Sequence, residues 1–132
     1  MLKFIFQFLL QQKYWAVIVA ILWTALIFIL CLKEGSGFPK VRVPHLDKIV
    51  HILFYTGMSF LWSLVCAKNK YRFVIVLAFC LFTGIGIELL QDSVLVKNRS
   101  FEWMDIGANT LGTIIGLGIY LYFWKKYIGI KS

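Results

Sequence analysis

Acidic side chains are scarce in this sequence. There are 6 Asp+Glu against 14 Lys+Arg in 132 residues, and only 15% of positions are charged. Soluble domains carry about a quarter charged residues. The shortage argues against a soluble globule, and a 61% hydrophobic content excludes a disordered chain. Proline occurs twice, as Pro39 and Pro44 in one polar stretch, so no long apolar run contains a ring that would remove a helical N–H. Cysteine occurs three times, as Cys31, Cys66 and Cys80, with no CxxC spacing. That is neither a disulfide framework nor a zinc motif; the three read as small apolar core residues. There is no internal repeat, low-complexity tract or linker between domains.

The sequence has four long apolar blocks instead. They run over about 14–32, 49–67, 72–91 and 104–124. A bilayer core is crossed by about 20 residues of helix, so each block is long enough to span. Aromatic residues gather at the block ends (Tyr14, Trp15, Tyr71, Trp103, Tyr122 and Trp124), where interfacial belts form. The expected fold is an all-α integral membrane protein, a four-helix transmembrane bundle with short loops forming a single domain over residues 1–132. The segment 1–13 is too short to span and suits a retained interfacial helix.

The net charge of +8 would suggest nucleic acid in a soluble protein. Here the basic residues form short clusters beside the apolar blocks, which is how membrane helices are flanked, so no nucleic-acid partner is expected. The N-terminus, the 68–72 turn and the C-terminus are basic and contain no acid. All the acids lie in the 33–48 and 91–103 loops or at the adjoining helix ends. This places both termini on the cytoplasmic side.

Ionisable residues at membrane depth are costly and are functional candidates by default. Asp47 and His51 are spaced i, i+4 and share a helix face. Glu88 and Gln91 close the third block. Asp105 and Asn109 repeat the i, i+4 spacing in the fourth, and Arg99 lies in the loop between. With alternating topology these residues reach the same, outer, end of the bundle. Asp47 and Asp105 start their helices, where a carboxylate can cap free N–H groups, and Asp47 lies one turn from His51 and can bond to it. Glu88 can pair with Arg99. The set serves either as a structural lock or as a pocket. One His among carboxylates suits Mg²⁺, Ca²⁺ or Mn²⁺ better than structural zinc, but no metal and no cofactor is assigned. Gly112 and Gly116 form a GxxxG, which allows close helix approach, first between the third and fourth spans and alternatively across a homodimer.

At these residues the sequence resembles the VanZ-like family of small bacterial membrane proteins. The matching pieces are Asp47-Lys48-Ile49-Val50-His51 leading to Phe54-Tyr55, then Glu88-Leu89-Leu90-Gln91. Arg99-Ser100 follows, with Asp105-Ile106-Gly107-Ala108-Asn109-Thr110-Leu111-Gly112 and Gly116. Together they cover about residues 44–118; the loop 92–98 departs from the family pattern. The resemblance implies a multi-pass protein of the bacterial cytoplasmic membrane, with teicoplanin resistance as a role. On this reading an outward pocket binds an anionic or lipid-linked head group, a wall precursor or a lipoglycopeptide. Lys48 and Arg99 would meet the anion, and Gln91 and Asn109 would supply hydrogen bonds. The alternative is a membrane enzyme with Asp47–His51 as base and Glu88 or Asp105 as acid. A transporter or channel subunit fits less well, because charges at mid-membrane and broken helices are missing.

Overall fold

A computed structural model describes residues 1–33, 46–93 and 100–129. Five helices follow in chain order: α1 Leu2–Gln11, α2 Lys13–Cys31, α3 Leu46–Val65, α4 Arg72–Gln91 and α5 Trp103–Tyr127. No strand occurs among the described residues. Helices α2 to α5 are each long and apolar enough to cross a membrane. The expected spans differ from the helices by a few residues at most. Helix α5 continues past 124 because Lys125 and Lys126 occupy its last turn, where cations favour the free carbonyl end. Large apolar side chains such as Leu22, Ile29, Val74, Phe82 and Leu89 face outward. Water would penalise such a surface, whereas lipid covers it.

Helix α1 is an element of its own. The backbone leaves the helical region at Gln12 (φ −98°, ψ 74°), and the chain restarts as α2. Phe6 is the buried anchor of α1. Its ring lies 5.6–6.2 Å from those of Phe60, Tyr120, Phe123 and Tyr127. Beside this cluster the Arg72 guanidinium sits 4.8 Å from the Phe73 ring centre and 5.2 Å from that of Trp124. These aromatic groups close one end of the bundle.

The most extensive packing joins α3 to α5. A Cβ added at Gly112 would overlap the Ile52 carbonyl, and one at Gly116 would overlap the Thr56 carbonyl and the Ser59 hydroxyl. The Thr56 hydroxyl donates to the Gly112 carbonyl at 3.1 Å. This corrects the expected partner of the GxxxG. Gly112 and Gly116 meet α3 of the same chain rather than α4, and that face is filled before any second copy could use it. Two indoles tie α2 to α3: Trp23 Nε1 donates to the Phe54 carbonyl at 2.9 Å, and Trp62 Nε1 to Thr24 Oγ1 at 3.0 Å. The cysteines form no disulfide. Burial pushes the Cys66 thiol up, with Lys13 opposing, which keeps it a poor nucleophile.

Candidate functional site: a buried polar cluster

The N-terminal ends of α3 and α5 and the C-terminal end of α4 meet at the end of the bundle opposite the aromatic cluster. Antiparallel neighbours bring these ends together, and the i, i+4 spacing aims His51 from α3 and Asn109 from α5 at each other. His51 Nδ1 lies 2.8 Å from Asn109 Oδ1, with both residues buried. His51 Nε2 points to Asp105 Oδ2 at 3.7 Å. Glu88 is 0% exposed. Its Oε2 accepts the Glu102 backbone N–H at 3.0 Å, and its Oε1 has no hydrogen-bond partner among the described residues. One ligand atom from each of His51, Glu88 and Asp105 falls within 4.8 Å of the others.

Lys48 is the electrostatic hub. Its Nζ lies 2.7 Å from Asp47 Oδ2 and 2.5 Å from Asp105 Oδ1, and it also pairs with Glu102. Lys48 and Asp105 are both shielded, so that pair is partly desolvated, whereas Asp47 and Glu102 are about half exposed and their pairs with Lys48 are surface ones. A lysine facing three carboxylates has little charge left for an anionic ligand. Asn109 Nδ2 and the Tyr55 hydroxyl, both unpartnered among the described residues, converge on Gly84. A Cβ there would lie 3.1 Å from the first and 3.3 Å from the second.

His51, Glu88, Asp105 and Asn109 thus come together, with Asp47 joined through Lys48. Gln91 turns elsewhere: its Nε2 donates to the Cys31 carbonyl at 2.8 Å, at the end of α2, where the last carbonyls have no partner within the helix. Arg99, and with it the expected Glu88–Arg99 pair, lies outside the described residues. Two local expectations are corrected. His51 takes Asp105 and Asn109 as neighbours, whereas Asp47 sits nearer the surface and engages Lys48. Asp105 does not cap α5. The cap position belongs to Glu102, which makes no side-chain cap bond, and Lys48 draws the Asp105 carboxylate across to α3. Glu102 was missed in the sequence. Its signal was available, because it stands three residues before Asp105 and therefore one turn away on the same side. A concavity of about 430 Å³ lies at the other end of α2 and α3, lined by Lys13, Val65, Cys66, Lys68 and Asn69. None of the expected site residues lines it.

Chemically the cluster offers carboxylate and imidazole lone pairs in a desolvated setting. It is built to hold a positive charge or to accept hydrogen bonds.

Four apolar helices and a polar knot at one end define a multi-pass helical membrane protein with a buried, acid-rich cluster. The family model for VanZ/LLP1 matches residues 2–125, and the chain belongs to that family. It is also similar to the uncharacterized protein C11E3.10 of Schizosaccharomyces pombe. The two are 28% identical over 103 residues, covering 76% of this chain and 62% of the relative. The chain thus spans less than two thirds of that relative's length. No solved structure matches.

Proposed function

We propose that this VanZ/LLP1 protein binds the head group of a lipid or lipid-linked wall precursor at the polar end of α3, α4 and α5. In a bacterial member this end faces outward from the cytoplasmic membrane, both termini lie inside, and teicoplanin resistance is the expected phenotype. The observation that carries the reading is Glu88. A fully buried carboxyl group with one oxygen unused is costly at membrane depth. The unused Asn109 amide and Tyr55 hydroxyl beside Gly84 add to it. A ligand that bonds to these groups removes the cost. Lys48 is neutralised by its own acids, so anion contact falls to Arg99.

The test is expression in a teicoplanin-sensitive bacterium of the unaltered chain, Glu88→Gln and Arg99→Lys, with membrane abundance and bound lipid measured in each. Gln can still accept the Glu102 N–H, so the fold should hold. Lys loses the planar fork that grips an anion in two places. Resistance and lipid retention should fall in both variants at equal abundance. Equal resistance in all three, with Glu88→Gln alone failing to accumulate, would leave the cluster a structural lock. Orientation is read separately by labelling Ser36→Cys and Asn98→Cys from outside. Labelling of Asn69→Cys from outside would reverse the topology.

A further inference from the structure

The two ring nitrogens of His51 face different chemistry. Nδ1 meets Asn109 Oδ1 at 2.8 Å. A carbonyl oxygen only accepts, so this bond assigns a proton to Nδ1. In the neutral ring Nε2 then carries a lone pair, and it points at Asp105 Oδ2 from 3.7 Å, with the Glu88 carboxylate in the same group. A lone pair facing the Asp105 carboxylate is repulsive unless something positive lies between them. The separation is too long for an N–H···O bond. It is close to the roughly 3.0–3.4 Å that separates two donors each about 2.1 Å from one ion.

A second observation is independent of the histidine. Glu88 is fully buried and its Oε1 has no partner among the described residues. The cation at this end, Lys48, is engaged by Asp47, Glu102 and Asp105. No ion pair joins Lys48 to Glu88 among the described residues, so the Oε1 lone pairs are open to a ligand. We propose that His51, Glu88 and Asp105 hold one divalent cation of the Mn²⁺ or Zn²⁺ type, with Asn109 fixing the His51 tautomer from behind. The sequence suggests many carboxylates and hence Ca²⁺ among the candidates, but the buried group has three donors, one an imidazole, which suits such an ion better than Ca²⁺ with its six to eight oxygens. The Asn109 contact is the arrangement by which a metal-bound histidine is oriented through its other nitrogen. The second acidic group, Asp47, Glu102 and Asp105, is already occupied by Lys48. The site does not depend on the head-group reading.

The full chain, purified in detergent and treated with chelator, is titrated with MnCl₂ and with ZnCl₂ alone, and bound metal is counted. One ion per chain is expected. His51→Gln, Glu88→Gln and Asp105→Asn should each weaken binding by more than the roughly 10–100-fold that loss of an outer-shell partner costs, while Asp47→Asn leaves it unchanged. Electron spin-echo spectroscopy of the Mn²⁺ form of the unaltered chain should show nitrogen modulation from one imidazole, a readout that needs no variant to fold. No saturable site, or a saturable site without nitrogen modulation, would overturn the proposal. So would loss of binding in Asp47→Asn equal to that in the other three. No lipid enters this assay, so its failure leaves the head-group reading standing.

Discussion

The two ends of the bundle are closed by different means. At one end Phe6, Phe60, Tyr120, Phe123 and Tyr127 pack ring against ring, with Arg72 over neighbouring aromatics. At the other, Lys48, His51, Glu88, Glu102, Asp105 and Asn109 meet through directed polar contacts. Ring packing depends on shape and volume, so substitutions of similar size are tolerated. A polar network depends on each donor finding its acceptor, and it fails when one is removed. On the head-group reading, the aromatic end bears on whether the chain folds and the polar end on what it binds.

The largest expected effect breaks both ends at once, because α3 and α5 run through each. Gly112→Ala or Gly116→Ala puts a methyl group into the α3 backbone. Overpacking against backbone cannot relax by a rotamer change, and each should cost about 3 kcal/mol, read as thermal unfolding in detergent. A variant as stable as the unaltered chain would mean that α3 and α5 do not meet backbone to backbone at these glycines.

Phe6→Ala comes next. Burying a phenylalanine is worth about 3–5 kcal/mol in a soluble core. Lipid is as apolar as the core, so mainly the packing part is lost, about 2 kcal/mol. Head-group binding at the far end should be unchanged, and a parallel loss of binding would couple the two ends.

Asn109→Ala reverses that pattern. It leaves His51 Nδ1–H buried without its acceptor, costing roughly 1–2 kcal/mol, and head-group or metal binding should fall well beyond what that instability explains. Binding assays on the folded fraction decide it.

The smallest effect is the sharpest comparison. The Tyr55 and Tyr120 hydroxyls are both buried without a hydrogen-bond partner among the described residues. Tyr55→Phe and Tyr120→Phe should each change stability by less than about 0.5 kcal/mol. Only Tyr55→Phe should weaken head-group binding. Equal binding in the two variants would remove Tyr55 from the site.

Much of this was legible in the sequence, and unevenly so. The spans were readable because long apolar runs with very few charges force a helix across lipid. His51, Glu88, Asp105 and Asn109 were placed at one end because helical spacing fixes a face and alternating topology fixes a depth. Neither fixes the rotation of one helix against the next. That is why Gly112 and Gly116 were assigned to the wrong neighbour, why Asp47 rather than Asp105 was set beside His51, and why Gln91 was expected at the cluster rather than at the Cys31 carbonyl. Glu102 was passed over because it stands just outside an apolar block. Its side chain matters only once Lys48 from α3 is known to arrive there.

The partners across α3 and α5 are far apart along the chain: His51 waits 58 residues for Asn109, and Lys48 waits 54 for Glu102. Synthesis proceeds from the N-terminus, so α3 enters the membrane long before α5 exists. Until then Lys48 has its immediate neighbour Asp47 to pair with, while His51 lacks both Asn109 and Asp105. Arrival of α5 delivers Asn109, Asp105 and Glu102 in one step, together with the two glycines that let it sit flush on α3. Without α5 the polar face of α3 has neither Asn109 nor Asp105 to meet it, and completion of the last helix supplies both.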